Sequence, residues 1–260
     1  MTTETHTVAV LYPGHAAEND YPLIESALGG MTATGQAAEE ASVATVRLPV
    51  IITDIDSDEH TVEAMRAVGE ADRLAQGARR AAALSADAVM WACTSGSFLY
   101  GWAGAHRQAD ALAQACGVPA SSTSLAFAAA CAHLGATTVS VVASYPPEVA
   151  AGFVDFLGDA GITVAAWRSH HIETATEAGE LDGDQLFAMV RAGVRPDADA
   201  ILVPDTALHT TAWLADLETD CGIPVLTANQ VTVWQGLRLA GVPIPSAPLG
   251  SLFTGVAVHS

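Results

Sequence analysis

The feature that most constrains the fold of this chain is an internal repeat. The sequence Ala-Asp-Ala-Val begins at Ala86, and Ala-Asp-Ala-Ile begins at Ala198. Cys93 lies six positions after the aspartate of the first copy, and Asp205 lies six positions after the aspartate of the second. Each copy continues with a helical pattern and then with Cys-Gly, an aliphatic residue and Pro. Because these features recur in the same order, we expect two similar halves with Cys93 and Asp205 in equivalent loops.

The pattern of apolar residues assigns both halves to the α/β class. Short apolar runs alternate with amphipathic stretches, which is typical of parallel sheets covered by helices on both faces. The predicted strands are Val8–Tyr12, Val43–Leu48, Ala88–Ala92, Thr138–Val142, Ile162–Ala166 and Ala200–Val203. The predicted helices are His60–Leu84, Phe98–Ala115, Pro147–Asp159, Asp182–Ala192 and Thr210–Asp220. We therefore expect two pseudo-symmetric, doubly wound, Rossmann-like domains.

The expected domain boundaries follow the two copies of the repeat. Residues 1–118 together with 225–260 form the first domain, which carries the Cys93 loop. Residues 119–224 form the second domain, which carries the Asp205 loop. Ligands bind doubly wound sheets at the carboxyl ends of the strands. We therefore expect an active site in the cleft between the domains.

The charge of the chain excludes some classes of partner. Ten Lys and Arg residues against 29 Asp and Glu residues give a net charge of −19 with histidine neutral. A surface this acidic repels nucleic acids and anionic membranes. The first residues resemble no secretory signal, and no apolar run approaches the ~18 residues of a membrane span. We expect a cytoplasmic protein whose four cysteines, none in a CxxC pair, are free thiols.

Cys93 is the first candidate catalytic residue. It follows an apolar strand and precedes a helix, whose unpaired N–H groups favour a thiolate and lower the pKa of a thiol. The hydroxyls of Thr94, Ser95 and Ser97 are suited to capping this helix or binding an anion. The alternative is a small buried apolar residue, as free cysteines usually are. The repeat and the polar residues after Cys93 favour a functional thiol.

Asp205 is the second candidate, because it ends the equivalent strand of the second half. The alternative role is that of a helix N-cap, which is common for an aspartate just before a helix. The two roles are compatible. Thr206 and Ala207 would supply a second set of backbone N–H donors at this loop.

Several segments, in this order, point to one known family. They are Cys-Thr-Ser-Gly-Ser-Phe at 93–98, Val-Val-Ala-Ser-Tyr at 141–145, and Gly-Ile-Pro-Val-Leu-Thr-Ala-Asn-Gln at 222–230, continuing to Gly241. Val-Leu-Tyr-Pro at 10–13 fits more loosely. Together they resemble the Asp/Glu racemase superfamily, in the branch of the maleate cis-trans isomerases and arylmalonate decarboxylases. The resemblance implies two pseudo-symmetric α/β domains with one site between them, and a homo-oligomer.

The resemblance also implies roles for individual residues. Cys93 matches the cysteine that is the nucleophile in the isomerases and is replaced by glycine in the decarboxylases. Asp205 departs from the pattern, since both groups have a second cysteine there. Ala16 stands where the isomerases have an asparagine. The implied substrate-binding residues are Pro13, Thr94, Ser95, Tyr145, Thr206 and Ala207.

These residues favour a cofactor-independent, maleate cis-trans isomerase-like enzyme acting on a small carboxylate or dicarboxylate. A Cys93 thiolate that adds to the double bond leaves a single bond, so that rotation and elimination release the trans isomer. We expect Asp205 to be protonated beside a dianionic substrate and to supply a proton to the neighbouring carbon. Racemisation of an Asp/Glu-type amino acid and decarboxylation of an arylmalonate use the same enediolate-type intermediate and stay open. So does a non-catalytic carboxylate-binding protein.

A metal site is not expected. His170, His171 and Glu173 are of the residue types that bind zinc. Adjacent histidines on an extended segment point to opposite faces, however, and no second cluster completes a set of ligands.

Overall fold

The computed structural model describes residues 4–29, 44–244 and 246–254, and its strands in these ranges form two parallel sheets. The strands are β1 (Glu4–Pro13), β2 (Ala44–Arg47), β3 (Val50–Thr53), β4 (Ala88–Trp91), β5 (Ala120–Ser122), β6 (Thr138–Ala143), β7 (Thr163–Ser169), β8 (Ala200–Val203) and β9 (Val225–Thr227). The first sheet has the order β2-β1-β4-β5, with β3 also paired to β1, and the second has the order β7-β6-β8-β9. The predicted fold class is confirmed.

Helices cover the sheets and connect their strands. They are α1 (Asp20–Gly29), α2 (Val62–Val68), α3 (Ala71–Ala82), α4 (Ser95–Phe98), α5 (Gly101–Cys116), α6 (Thr123–Leu134), α7 (Pro147–Asp159), α8 (Ala175–Gly179), α9 (Gly183–Arg191), α10 (Leu214–Cys221), α11 (Ala228–Leu239) and α12 (Ser251–Thr254). A short 3₁₀ helix at Thr211–Trp213 precedes α10. The helices α6 and α11, which follow the last strand of each sheet, pack against one another and join the halves.

The two sheets repeat one topology, as the sequence repeat predicts. In each, the chain leaves the first strand toward one edge and returns on its other side, so β1 and β4 correspond to β6 and β8. The aspartates of the repeat have equivalent positions. Asp87 Oδ2 accepts a hydrogen bond from the Thr7 N–H at 2.8 Å. Asp199 Oδ2 accepts from the N–H groups of Thr137 at 2.8 Å and Thr138 at 2.9 Å. The Asp87 carboxylate therefore binds the backbone of β1 within the strand, and the Asp199 carboxylate binds the start of β6.

The single helix predicted over His60–Leu84 is wrong, since α2 and α3 are separated at Gly69. Gly69 lies against the backbone of Gly96 in the Cys93 loop, where a Cβ would come within 2.1 Å of the Gly96 carbonyl oxygen. Gln108 Nε2 donates to the carbonyls of both glycines, at 2.8 and 2.9 Å. The helix break thus packs against the loop that carries Cys93. The helices predicted at Phe98–Ala115 and Thr210–Asp220 are likewise each divided in two.

The predicted domain boundaries stay a prediction. By sheet membership alone, β5 falls with the first half, because Ala120 pairs with Val89 of β4. Likewise β9 falls with the second half, because Val225 pairs with Ile201 of β8. Of the strand predicted at Val43–Leu48, Val43 lies outside the described residues. No helix in the described ranges is long and apolar enough to span a membrane.

Candidate active site

Four strand ends meet at one cavity. In each sheet the chain reverses its direction of winding beside the first strand, and loops diverge at such a point to leave a crevice. Pro13 ends β1 and Cys93 follows β4 in the first sheet, while Tyr145 follows β6 and Asp205 follows β8 in the second. All four residues line a cavity of about 480 Å³, including its open mouth. The topology therefore brings the two halves of the repeat to one site.

Most of the predicted site residues line this cavity. Those that do are Pro13, Cys93, Ser95, Tyr145, Asp205, Thr206 and Ala207. Thr94 is fully buried beside the Tyr145 hydroxyl, and no hydrogen bond of good geometry within the described ranges satisfies its Oγ1. Thr94 therefore lies behind the cavity wall, next to Tyr145, and not on the cavity surface.

The thiol of Cys93 is buried, and this corrects the prediction of a lowered pKa. Burial raises the pKa of Cys93 from 9.0 to about 11, and the nearby charge of Asp205 adds to this rise. The Gly96 N–H donates to Sγ at 3.3 Å, and Ser95 Oγ lies 3.8 Å from Sγ; both contacts lower the pKa. The helix N-terminus thus acts in the expected direction. Its effect is smaller than that of desolvation, which is the largest contribution at this buried site. In the resting protein Cys93 is a thiol.

Asp205 is held by hydrogen bonds to both carboxylate oxygens. The hydroxyl of Ser144, directly after β6, donates a hydrogen bond to Oδ2 of Asp205. The Ala207 N–H donates to Oδ1 at 2.9 Å. The N-cap interpretation is wrong, because turns separate Asp205 from the 3₁₀ helix that starts at Thr211. The carboxylate is 4% exposed and faces the cavity with its orientation fixed.

These bonds decide which predicted donors are free. The Ala207 N–H is already used by Asp205, whereas the described residues contain no partner for the Thr206 N–H. The Tyr145 hydroxyl donates a hydrogen bond to the carbonyl oxygen of Pro204. Burial, with the charge of Asp205 next, raises the pKa of Tyr145 well above its usual value, so its hydroxyl stays neutral. Of these three groups, the Thr206 N–H is the one without a hydrogen-bond partner among the described residues.

Sequence reasoning missed the groups that position the second loop. The Tyr12 hydroxyl donates to the carbonyl of Thr206 at 2.9 Å and accepts from the Ala17 N–H at 2.9 Å. Burial raises the pKa of Tyr12, which keeps this hydroxyl protonated. Asp20, 1% exposed, accepts from the N–H groups of Thr210 and Thr211 at 3.1 and 3.2 Å. The contact of Tyr12 with Thr206 and that of Asp20 with Thr210 join residues 194 and 190 positions apart, so no local pattern reveals them.

Part of the cavity lining is apolar, and backbone hydrogen bonds join the two halves beside the cavity. The apolar side chains are Ala16, Ile55, Met65, Val68 and Ala175. The His60 N–H donates to the carbonyl of Glu173 at 2.7 Å, and the Ala175 N–H donates to the carbonyl of Asp58 at 2.9 Å. Segments 58–60 and 172–176 therefore tie the first half to the second beside the cavity.

The histidine pair of the sequence lies outside this cavity. His171 and Glu173 line a separate outer pocket, which shares Glu59 and His60 with the cavity. Burial lowers the pKa of His170 below its usual value. No three His, Cys, Asp or Glu side chains in the described part of the chain are arranged to hold a metal ion.

Comparison with known proteins gives both a family and a fold. The family model for arylmalonate decarboxylase matches residues 58–253. The arylmalonate decarboxylase of Bordetella bronchiseptica is 29% identical over 209 residues, which are 79% of this chain and 86% of that protein. The maleate isomerase of Pseudomonas putida S16, solved with maleate, has a TM-score of 0.86 at 18% identity and covers 98% of this chain and 100% of its own.

A second solved structure has a covalently modified cysteine. It is a cysteine variant of the Nocardia farcinica maleate cis-trans isomerase with a covalently bound succinylcysteine intermediate. Its TM-score is 0.83 at 19% identity, over 97% of this chain and 99% of that one. Both likenesses show that this chain has the same fold as the isomerases.

Proposed function

This chain belongs to the arylmalonate decarboxylase family, and we propose that it is a cofactor-independent, maleate cis-trans isomerase-like enzyme acting on a small dicarboxylate. One observation carries the proposal: a thiol from the first half, Cys93, and a carboxylate from the second, Asp205, line a single cavity. The covalent succinylcysteine intermediate of the structurally similar Nocardia farcinica isomerase supports Cys93 as the nucleophile. The homo-oligomeric state and the cytoplasmic location stay predictions.

The first step uses Cys93 as it rests, in its protonated form. As Sγ forms a bond to one carbon of the cis double bond, Asp205 accepts the thiol proton. The π electrons move toward the adjacent carboxylate and give an enediolate. Asp205 then donates the same proton to the neighbouring carbon, which completes a covalent succinyl-type adduct. Asp205 is thereby first the base and then the acid. The proton-donor role is the one expected from the sequence, but the donated proton comes from Cys93 and not from an Asp205 that is protonated beforehand.

Isomerisation follows from rotation about the new single bond. Asp205 removes the proton from the carbon beside the sulfur-bearing one, the carbon–sulfur bond breaks, and Cys93 recovers its proton from Asp205. The trans dicarboxylate leaves, and no net proton or electron is consumed. The Thr206 N–H and the Ser95 hydroxyl are the cavity groups that stabilise the enediolate charge.

Decarboxylation is the second candidate, and the state of the thiol favours it. Loss of carbon dioxide from a malonate leaves an enediolate, whose carbon needs a proton. A thiol with a pKa of about 11 is protonated at neutral pH and is able to supply it. The apolar wall formed by Ile55, Met65 and Val68 suits either an aryl group or a departing carboxylate that must lose its charge.

One experiment separates these reactions. The protein is incubated with maleate, phenylmalonate or L-aspartate in deuterium oxide and followed by proton NMR. We expect fumarate from maleate, and expect Cys93→Ala and Asp205→Asn each to lower its rate by at least about 100-fold. Product only from phenylmalonate would assign decarboxylation, and exchange of the α-proton of aspartate would assign racemisation. No change in any substrate, together with measurable binding, would assign a binding protein. Full activity of Asp205→Asn contradicts the proposed proton transfer.

A further inference from the structure

His60 is a buried titratable residue of the cavity that the mechanism above does not use. It is 4% exposed and lines the cavity together with Cys93 and Asp205. It also lines the neighbouring pocket that contains His171 and Glu173, so it lies where the two pockets adjoin. A substrate that fills the cavity therefore meets His60.

The ring of His60 is held in one orientation. Nδ1 lies 2.9 Å from the carbonyl oxygen of Ile172. Because a carbonyl only accepts hydrogen bonds, Nδ1 must carry the hydrogen. The ring meets that of Tyr145 edge-on, with the centroids 5.2 Å apart and the planes at 84°. Nε2 is thus the ring nitrogen left to bind a ligand.

The charges around the cavity make His60 distinctive. Among the described residues that line it, His60 is the only one whose side chain can carry a positive charge. The acidic residues of the same lining are Asp58, Glu59 and Asp205. A substrate with two carboxylates therefore enters a site with three acids and one available cation. In the proposed mechanism the Thr206 N–H and the Ser95 hydroxyl serve the carboxylate beside the reacting carbon, so the second carboxylate needs another donor.

We propose that His60 determines specificity by binding the second carboxylate of the substrate, so that dicarboxylates rather than monocarboxylates are the substrate class. This inference rests on the proposed function, because it assumes that the carboxylate-binding cavity is the substrate site. The imidazolium donates Nδ1–H to Ile172 and Nε2–H to the carboxylate. A neutral ring would present an acceptor to an acceptor, so binding of the dianion requires the charged form.

Most of the titratable groups that surround His60 are acidic. The titratable side chains around it are Asp58, Glu59, Tyr145, Glu148, His171, Glu173 and Asp205. Hydrogen bonds from Thr176 hold the pKa of Asp58 below its usual range, and His60 adds a smaller contribution in the same direction. Asp58 is thus a carboxylate at neutral pH and places a negative charge near His60.

The test measures binding rather than turnover. In a Cys93→Ala background, calorimetry compares maleate with cis-crotonate, which has a methyl group in place of the second carboxylate. His60→Asn keeps an amide donor for Ile172 and removes the nitrogen at the Nε2 position. We expect it to weaken maleate binding roughly 10- to 100-fold, as for loss of a hydrogen bond to a charged group, and to change cis-crotonate binding by less than about threefold. His106→Asn, on the exposed surface of α5, is the matched control and should change neither.

Other outcomes overturn the inference or separate it from the proposed function. Should His60→Asn fail to fold, His60→Gln and His60→Leu replace it, since glutamine retains a donor near the Nε2 position and leucine has none. If the protein with His60 and the variant without a donor at the Nε2 position prefer maleate over cis-crotonate equally, the proposed role of His60 is overturned. A His60-dependent preference without conversion of maleate overturns the proposed function and leaves this inference standing. Fumarate formation from maleate, together with an unchanged preference for maleate in the His60 variants, overturns this inference and leaves the proposed function standing.

Discussion

Ser144 donates a hydrogen bond to Oδ2 of Asp205, and so couples the residue that follows β6 to the candidate acid–base group after β8. Both residues are buried, and β6 and β8 are hydrogen-bonded neighbours in the second sheet. With the Ala207 N–H on Oδ1, the carboxylate has one fixed orientation toward the cavity. A group that moves a proton between a thiol and a carbon needs such fixed positioning.

Loss of this bond should reduce turnover more than binding. We expect Ser144→Ala to lower kcat about 10- to 100-fold and to change KM by less than about threefold, because Asp205 loses its orientation while the substrate-binding donors remain. Steady-state kinetics with the substrate found by NMR provides the measurement. Ser140→Ala is the control: its hydroxyl, also on β6, donates to the Gly193 carbonyl at 2.6 Å and is not part of the cavity lining. Equal losses in both variants would show a general effect on stability instead.

Alkylation of Cys93 by iodoacetamide should depend steeply on pH. With a pKa of about 11, roughly 0.1% of the thiol is ionised at pH 8, and the labelling rate should rise tenfold per pH unit up to pH 10. Mass spectrometry of the peptide containing Cys93 gives the rate at this site. A rate that levels off by pH 8 would restore the lowered pKa predicted from the helix N-terminus. Bound dicarboxylate should slow the labelling, since Cys93 lines the substrate cavity.

Removing the charge of Asp205 should make Cys93 more reactive. Desolvation is the main cause of the raised pKa, and the negative charge of Asp205 is a smaller one acting in the same direction. Asp205→Asn should therefore move the pH at which labelling levels off below about 11 while keeping it above 9.0. Asp216→Asn, at an exposed position of α10, is the matched control. Unchanged labelling of Cys93 in Asp205→Asn would mean that the two groups do not interact in solution.

The sequence predicts that Cys93 and Asp205 line one cleft, because this prediction needs only the spacing of the apolar residues and the order of the strands. Apolar strands at equal positions in a repeat imply equivalent strand ends, and doubly wound sheets bind ligands at those ends. The structure confirms the two sheets and the shared cavity. The repeated strand arrangement of the two halves is therefore predictable without knowledge of side-chain packing.

The protonation state of Cys93 and the partners of Asp205 depend on packing that no local pattern encodes. The pKa of the thiol is decided by burial, and burial depends on loops from both sheets. Ser144 is 61 residues from Asp205, and Tyr12 is 194 residues from Thr206. His60 enters the cavity because segments 58–60 and 172–176 bind one another, a pairing between the halves that the repeat does not contain.

The aspartates of the repeat should matter for stability and not for chemistry. Asp87→Ala removes one hydrogen bond from a backbone N–H, whereas Asp199→Ala removes two from backbone N–H groups and a longer one, at 3.4 Å, from the Thr137 hydroxyl. Because these bonds are exposed to solvent, we expect losses of about 1 kcal/mol or less for Asp87 and up to about 2 kcal/mol for Asp199 in the free energy of unfolding. Urea denaturation measures both, with Asp216→Ala as an exposed control. A larger loss at Asp87 than at Asp199 would contradict these structural roles.

Gly69→Ala should damage the Cys93 loop through simple lack of space. The added Cβ would lie 2.1 Å from the carbonyl oxygen of Gly96, well inside contact distance, and the backbone there has no flexible end that could move aside. The loop would have to shift and take with it the Gly96 N–H that donates to Cys93 Sγ. We expect at least about a tenfold loss of kcat and a lower melting temperature, since overpacking costs roughly 1–3 kcal/mol. Gly158→Ala in α7, where a Cβ meets nothing within 4 Å, is the control and should leave activity unchanged and stability equal or higher. Normal kinetics for Gly69→Ala would show that the Cys93 loop tolerates displacement. The close packing of Gly69 on Gly96 would then have no role in positioning the nucleophile.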